Sequence, residues 1–278
     1  FILAGTATTG TYSTLNWSTS GNGTFVGGII NTLNPTYTPS ALDAQNSPIT
    51  LTLTANPIAP CAVPLVTTVL VSIVKSPTIV VTTQQPICED ASNVQILGTV
   101  INNAASFVYT STTGTLIDNP TSINPTVTPS ALDISSEKIE LTITATPNAP
   151  CDPTAKVIKT ITIPVIRNPI VSAGTLQQIC EGTSITLTTT DATATYVDIP
   201  GGKLQWSSTG DGSFITSPNN VITTYQPGPN EKLIGLVTLK LTGTATSPCS
   251  TNSVSEVVYQ IIKNPVVTLN SPEVTICE

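Results

Sequence analysis

The sequence predicts an all-β fold, built as a tandem array of small β-sandwich domains, and three observations carry that expectation. Thr, Val, Ile and Ser dominate, while charged residues make up 9% of the chain, far below the roughly 25% of an ordinary soluble domain. Thr, Val and Ile suit the pleated, half-buried surface of a sheet. No stretch shows an apolar 3.6-residue period with caps at both ends. Finally, the chain repeats itself.

Three segments align without a gap: 36–61 (TYTPSALDAQNSPITLTLTANPIAPC), 126–151 (TVTPSALDISSEKIELTITATPNAPC) and 224–249 (TYQPGPNEKLIGLVTLKLTGTATSPC). Upstream of them lie NWSTSGNGTF from Asn16, VYTSTTGTL from Val108 and QWSSTGDGSF from Gln205. With the recurring linkers VSIVKSPTIVV, ITIPVIRNPIVS and YQIIKNPVVTL, they set a period of about 90–100 residues. Within each period a first strand (IVVTT, IVSAG, VVTLN) leads to an Ile-Cys-Glu corner. A second alternating strand follows, as in SITLTTT from Ser184. The Trp or Tyr block is a third strand closed by a Gly-rich turn. The TYTP block opens into a long alternating strand (ITLTLTA, VTLKLTG), and a turn at APC or SPC precedes the last strand, as in VSEVVYQII. Period-two alternation with a turn signal every 8–12 residues is the pattern of an Ig-like sandwich. Trp17, Tyr109 and Trp206 are the expected core anchors, since a large aromatic carries much of the apolar area in domains otherwise poor in aromatics. The expected domains are 1–76, lacking its first strand, then 77–168 and 169–264, with 265–278 the first strand of a further repeat.

The run ICEGTSITL, then QWSSTGDGSF, then TYQPG through VTLKLTGTATSPCS resembles the Ig-like and PKD-like repeats of giant secreted surface proteins of Bacteroidota. These include Flavobacterium-type adhesins of gliding motility exported by the type IX system. The likeness runs over essentially the whole chain. It implies an extracellular location at a bacterial surface and a role as stalk, spacer or adhesive array. The middle repeat departs from the pattern, with Asp90 for the Gly after the corner and Tyr109 for Trp.

Composition excludes several classes of activity. The formal net charge is −7 with nine Lys and Arg, which argues against nucleic acid, because phosphate binding needs clustered cations. No run of 18 apolar residues spans a membrane. Histidine is absent, which removes His-based triads and imidazole zinc sites. Met is absent too and no signal peptide is visible, so the expectation is the interior of a longer processed chain. No catalytic residue and no cofactor is expected.

The six cysteines fall two per period, Cys88, Cys180 and Cys277 at corners, and Cys61, Cys151 and Cys249 at APC or SPC turns. In a His-free, secreted-looking chain they read as disulfides. Three pairings compete. Pairing within a repeat (Cys88 with Cys151, Cys180 with Cys249) is preferred. A staple between neighbours (Cys88 with Cys249) follows if corner and turn occupy opposite poles, and a hairpin pairing (Cys61 with Cys88, Cys151 with Cys180, Cys249 with Cys277) has the steadiest separations.

Asp43, Asp133, Asp211, Glu89 and Glu181 invite comparison with interdomain calcium sites. Calcium takes six to eight oxygens, and with no Asp-rich loop here, turn chemistry is the simpler account. Asn16-Trp-Ser and Asn22-Gly-Thr match the glycosylation pattern, a match that arises easily by chance in a Thr-rich chain. The function expected is a segment of a long surface filament whose partners are neighbouring repeats. The alternative is a module binding surface glycans or a protein, for which the extra stretch 197–203 (VDIPGGK) is the one candidate. The start FILAGTAT aligns with SITLTTTD, leaving the first repeat without a first strand and the C-terminal segment with a spare one. A continuous longer chain is preferred over strand donation between copies as the explanation.

Overall fold

The computed structural model describes residues 1–198, 201–268 and 277. It is all-β, a tandem series of Ig-like β-sandwiches, and its buried apolar residues fall into three main clusters centred on Trp17, Tyr109 and Trp206. The larger sheet of each sandwich has the Trp or Tyr strand, the long strand and the last strand side by side. In the first these are Tyr12–Thr19, Ile49–Pro57 and Leu65–Val71, in the second Ala104–Ser111, Lys138–Pro147 and Val157–Ile166, and in the third Leu204–Ser208, Leu236–Gly243 and Ser253–Ile262. Alternation decides which side of the long strand is buried. Ile49, Leu51 and Leu53 point inward, as do Ile139, Leu141 and Ile143, and Val237, Leu239 and Leu241, while the Thr residues between them point out.

The first strand of each complete repeat lies in two pieces. Its opening piece (Thr78–Val81, Ile170–Ser172) pairs antiparallel with Thr99–Asn102 or Thr193–Thr195. Its corner piece (Ile87–Cys88, Gln177–Cys180) then crosses to the larger sheet and runs parallel to the end of the last strand. Ile87 faces Val165 and Cys88 faces Ile166; Ile179 faces Ile261 and Cys180 faces Ile262. Parallel pairing carries each corner cysteine to the C-terminal pole of its own repeat.

The first repeat differs along this seam. Val69 of its last strand is 41% exposed, whereas its counterparts Ile161 and Val257 are each 3% exposed beneath their covering strands. A groove of about 460 Å³ opens at the start of this last strand, lined by Leu15, Leu53, Ala55, Pro57, Leu65 and Thr67 among others. Ile2 bridges to Thr36 as Thr186 pairs with Thr224. Phe1 is thus the counterpart of Ile185, one residue on from the expected alignment.

Three short helices, Ala41–Gln45, Ala131–Ser135 and Pro229–Ile234, were not anticipated from periodicity. At five or six residues they are too short to show one, and only their caps announce them. Ser40 and Ser130 each accept the N–H of the third helical residue, and Asp43 and Asp133 accept the N–H of the cap in return.

Candidate functional site

Two constructions recur along the chain, a buried acid inside each sandwich and a junction between sandwiches. The acid is the third residue of each short helix. The Asp43 carboxylate accepts the N–H of Asn22, Gly23 and Ser40 and the hydroxyl of Tyr37, the last at 2.8 Å. It thereby ties the turn after the Trp strand to the strand that carries Tyr37. Burial alone would raise its pKa, but these donors outweigh burial and hold the carboxyl at about 2. Gly23 is required here, because a Cβ would lie 2.5 Å from the Tyr37 hydroxyl and 2.6 Å from the carboxylate.

The third repeat rebuilds the lock with Glu231, which accepts the Gly228 N–H at 2.9 Å and the Tyr225 hydroxyl. Burial pushes the Tyr225 phenol up to about 12, with the acid beside it adding to the rise. Gly228 has no side chain to cap the helix, and Asp211 takes over, accepting from the N–H groups of Asn230 and Glu231. In the second repeat Val127 stands in place of the tyrosine, and Thr113 and Thr115 donate to Asp133 instead. Each acid is thus engaged with hydrogen-bond donors of its own repeat. Among the described residues no three or more His, Cys, Asp and Glu side chains gather as a metal site would require.

The junction between the second and third sandwiches is covalent. Cys88 and Cys249 form a disulfide with their Cα atoms 4.9 Å apart, packed with Ala245 and Ile166. The preferred within-repeat pairing is corrected by this bond, and the reason is topological. A corner cysteine sits at the end of its last strand and the turn cysteine before the start of that strand. Ten residues, Val157–Ile166 or Ser253–Ile262, separate the two poles, about 30 Å of extended chain, and a disulfide needs Cα atoms within about 7 Å. The hairpin pairing fails as well, because Cys88 and Cys180 lie at the far poles of the repeats that follow Cys61 and Cys151, and Cys249 is already bonded to Cys88. Cys61, Cys151, Cys180 and Cys277 are unpaired, with Cys151 half-buried and the others exposed.

Around the disulfide the linker is held by the residue that follows the corner. Glu89 accepts the Asn168 N–H at 2.9 Å and the Arg167 guanidinium on its other oxygen. Burial would raise its pKa, but Asn168 and Arg167 outweigh that and keep the carboxyl below the usual range. Arg167 in turn lies 4.4 Å from the ring centroid of Tyr196 in the third sandwich, a cation–π contact. The first junction matches in outline. Cys151 Sγ lies 3.8 Å from the carbonyl oxygen of Val74, and Cys249 Sγ lies 3.2 Å from that of Ile166, its counterpart.

Trp17, Tyr109 and Trp206 are all buried in their clusters. In the stretch 197–203, Val197 packs on the third core and Asp198 accepts the Gly201 N–H, while Ile199 and Pro200 lie outside the described residues. The spare segment 265–278 lies outside them beyond Thr268, apart from the exposed Cys277. The Glu89–Arg167–Tyr196 chain was missed in the sequence. Its visible signal was the Glu after every corner cysteine and the basic residue before each linker.

No family model matches the chain, and no curated protein matches it. Among solved structures it is similar to protocadherin gammaB7 EC3-6 in its cis-dimer structure, with 18% identity and a TM-score of 0.42, over 90% of this chain and 69% of that one. Mouse clustered PcdhgC3 EC1-3 matches with 13% identity and a TM-score of 0.46, over 83% of each chain. Mouse cadherin-23 EC22-24 matches with 15% identity and a TM-score of 0.44, over 90% of this chain and 86% of that one.

Proposed function

We propose that the chain is a structural segment of an extracellular array of Ig-like repeats, serving as a stapled stalk that carries attachment to a surface rather than as an enzyme. The domains are 1–76, 77–168 and 169–264, with 265–278 opening a further repeat. The observation that carries this reading is the Cys88–Cys249 bond, which crosses the Arg167-Asn168-Pro169 linker and restrains a joint that would otherwise hinge. A disulfide fits an oxidising, extracellular compartment. The Glu89–Arg167–Tyr196 contacts and the proline, with its fixed backbone angle, restrain the same joint. The resemblance of the repeats to Bacteroidota surface adhesins supports a bacterial cell surface as the setting and gliding or surface attachment as the use. Neighbouring repeats are then the principal partners.

Small-angle scattering of the oxidised protein and of the Cys88→Ser/Cys249→Ser variant tests the reading. The variant is expected to keep its sandwich content by circular dichroism while its pair-distance distribution broadens. An unchanged distribution would remove the staple's role in setting the joint and, with it, the case for a stalk.

A further inference from the structure

The turn after the Trp strand of the first repeat carries a reactive step that the fold holds shut. Asn22-Gly23 is the one Asn-Gly pair in the sequence. An asparagine amide followed by glycine is open to attack by the next backbone nitrogen, since glycine has no Cβ to crowd that nitrogen and lets the chain bend back on itself. The lock built on Asp43 explains why glycine stands there. A Cβ at position 23 would lie 2.5 Å from the Thr38 carbonyl oxygen, besides striking the Tyr37 hydroxyl and the acid. The residue that lets the buried acid approach the turn therefore also makes its neighbour labile.

Geometry then closes the reaction off. The Gly23 nitrogen, the nucleophile once it sheds its proton, donates to Asp43 Oδ2 at 3.0 Å, and the Asn22 N–H donates to Asp43 Oδ1. The Gly21 N–H is held by Thr19 Oγ1 at 3.0 Å, so the turn is fixed on both sides of the exposed Asn22. Asp43 is no base for the step, because its carboxyl ionises at about 2. Its negative charge also opposes an anionic nitrogen beside it. The other repeats lack the pair. Asp211 holds this position in the third, its carboxylate accepting from the N–H groups of Asn230 and Glu231. The second, one residue shorter, has Thr113-Gly114.

We propose that Asn22 is a self-modifying site gated by Asp43: it is inert while the turn is locked, and it converts to aspartate and isoaspartate when the first sandwich opens, leaving a permanent mark of that opening. In the opened turn the Gly23 nitrogen attacks Cγ of Asn22. The N–Cγ bond forms, the Cγ–Nδ2 bond breaks, and the departing amide nitrogen leaves as ammonia with the proton that Gly23 gave up. Water opens the resulting succinimide at either carbonyl, and no oxidant or reductant takes part. The product carries one further negative charge. In its isoaspartyl form the main chain runs through the former side chain and gains a methylene, which moves the Gly23 N–H out of register with Asp43. The new carboxylate also shares the turn with the buried one, and like charges repel there. A repeat that has opened and reacted therefore recloses less well than one that has not. Nothing in the stalk reading uses Asn22, so the two stand or fall separately.

The test incubates the full chain at mildly alkaline pH and maps Asn22 by mass spectrometry, with isoaspartyl methyltransferase counting the isomer. Conversion in the folded protein is expected to be at least about ten-fold slower than in a synthetic peptide of residues 16–28, because attack waits on a local opening. Urea should bring the two rates together. Asp43→Asn is compared with Leu53→Ala, which weakens the same core and leaves the turn intact. Under conditions where circular dichroism shows both folded, Asp43→Asn should convert faster than its loss of stability accounts for. Folded wild-type protein that converts at the peptide's rate overturns the proposal, whether or not Asp43→Asn folds. Equal conversion in the two variants at equal stability overturns the gate assigned to Asp43.

Discussion

Asp43 shows how one buried acid serves a domain with few charges. Its carboxyl ionises at about 2 in the fold against 3.8 in an open chain. A group with a depressed folded pKa stabilises fully above its unfolded value, and that stabilisation is lost as pH falls through the folded one. The melting temperature of the first repeat should therefore hold from neutrality to about pH 4 and fall between about pH 4 and 2. Asp43→Asn should lower melting at neutral pH and flatten that acid slope, both readable by calorimetry at stepped pH. An unchanged slope would place the acid-sensitive group elsewhere. The residue was legible in the sequence as part of a repeated SALD motif. Its role was not, because the donors come from Asn22, Gly23 and Tyr37, which no local pattern places around it.

Among the elements, the last strand separates what patterning encodes from what topology adds. Val69, Ile161 and Val257 hold the same position, yet only the last two are covered. Placing a hydroxyl at a buried apolar site without a partner costs about 1–3 kcal/mol. Val257→Thr should thus cost that much in the third repeat, whereas Val69→Thr should be near neutral. Chemical denaturation of the two variants measures the contrast, and equal costs would mean that the first repeat covers its own last strand. The long strands, the Trp and Tyr anchors and the turns were readable because side-chain alternation and turn chemistry are local. The parallel docking of the corner on the last strand was not. It joins Cys88 to Ile166, residues far apart in sequence, and nothing in either segment states at which pole the cysteine ends. That single missing fact tilted the sequence reading toward pairing within a repeat.

For the whole molecule, the Cys88–Cys249 bond changes how the chain answers a pull. Tension applied at the two ends passes through sulfur at this point, and the stretch between the cysteines, a separation of 161 residues, carries no load even if both sandwiches in it unravel. That stretch would contribute about 550 Å of extended chain. Pulled singly with optical tweezers, the oxidised protein should reach a final contour length shorter by about that amount than the protein treated with dithiothreitol. Equal lengths would show that the bond is absent from the load path. An array built this way can lose the folds between its paired cysteines under tension without that stretch adding to its length, and the looped sandwiches can refold once the pull is gone.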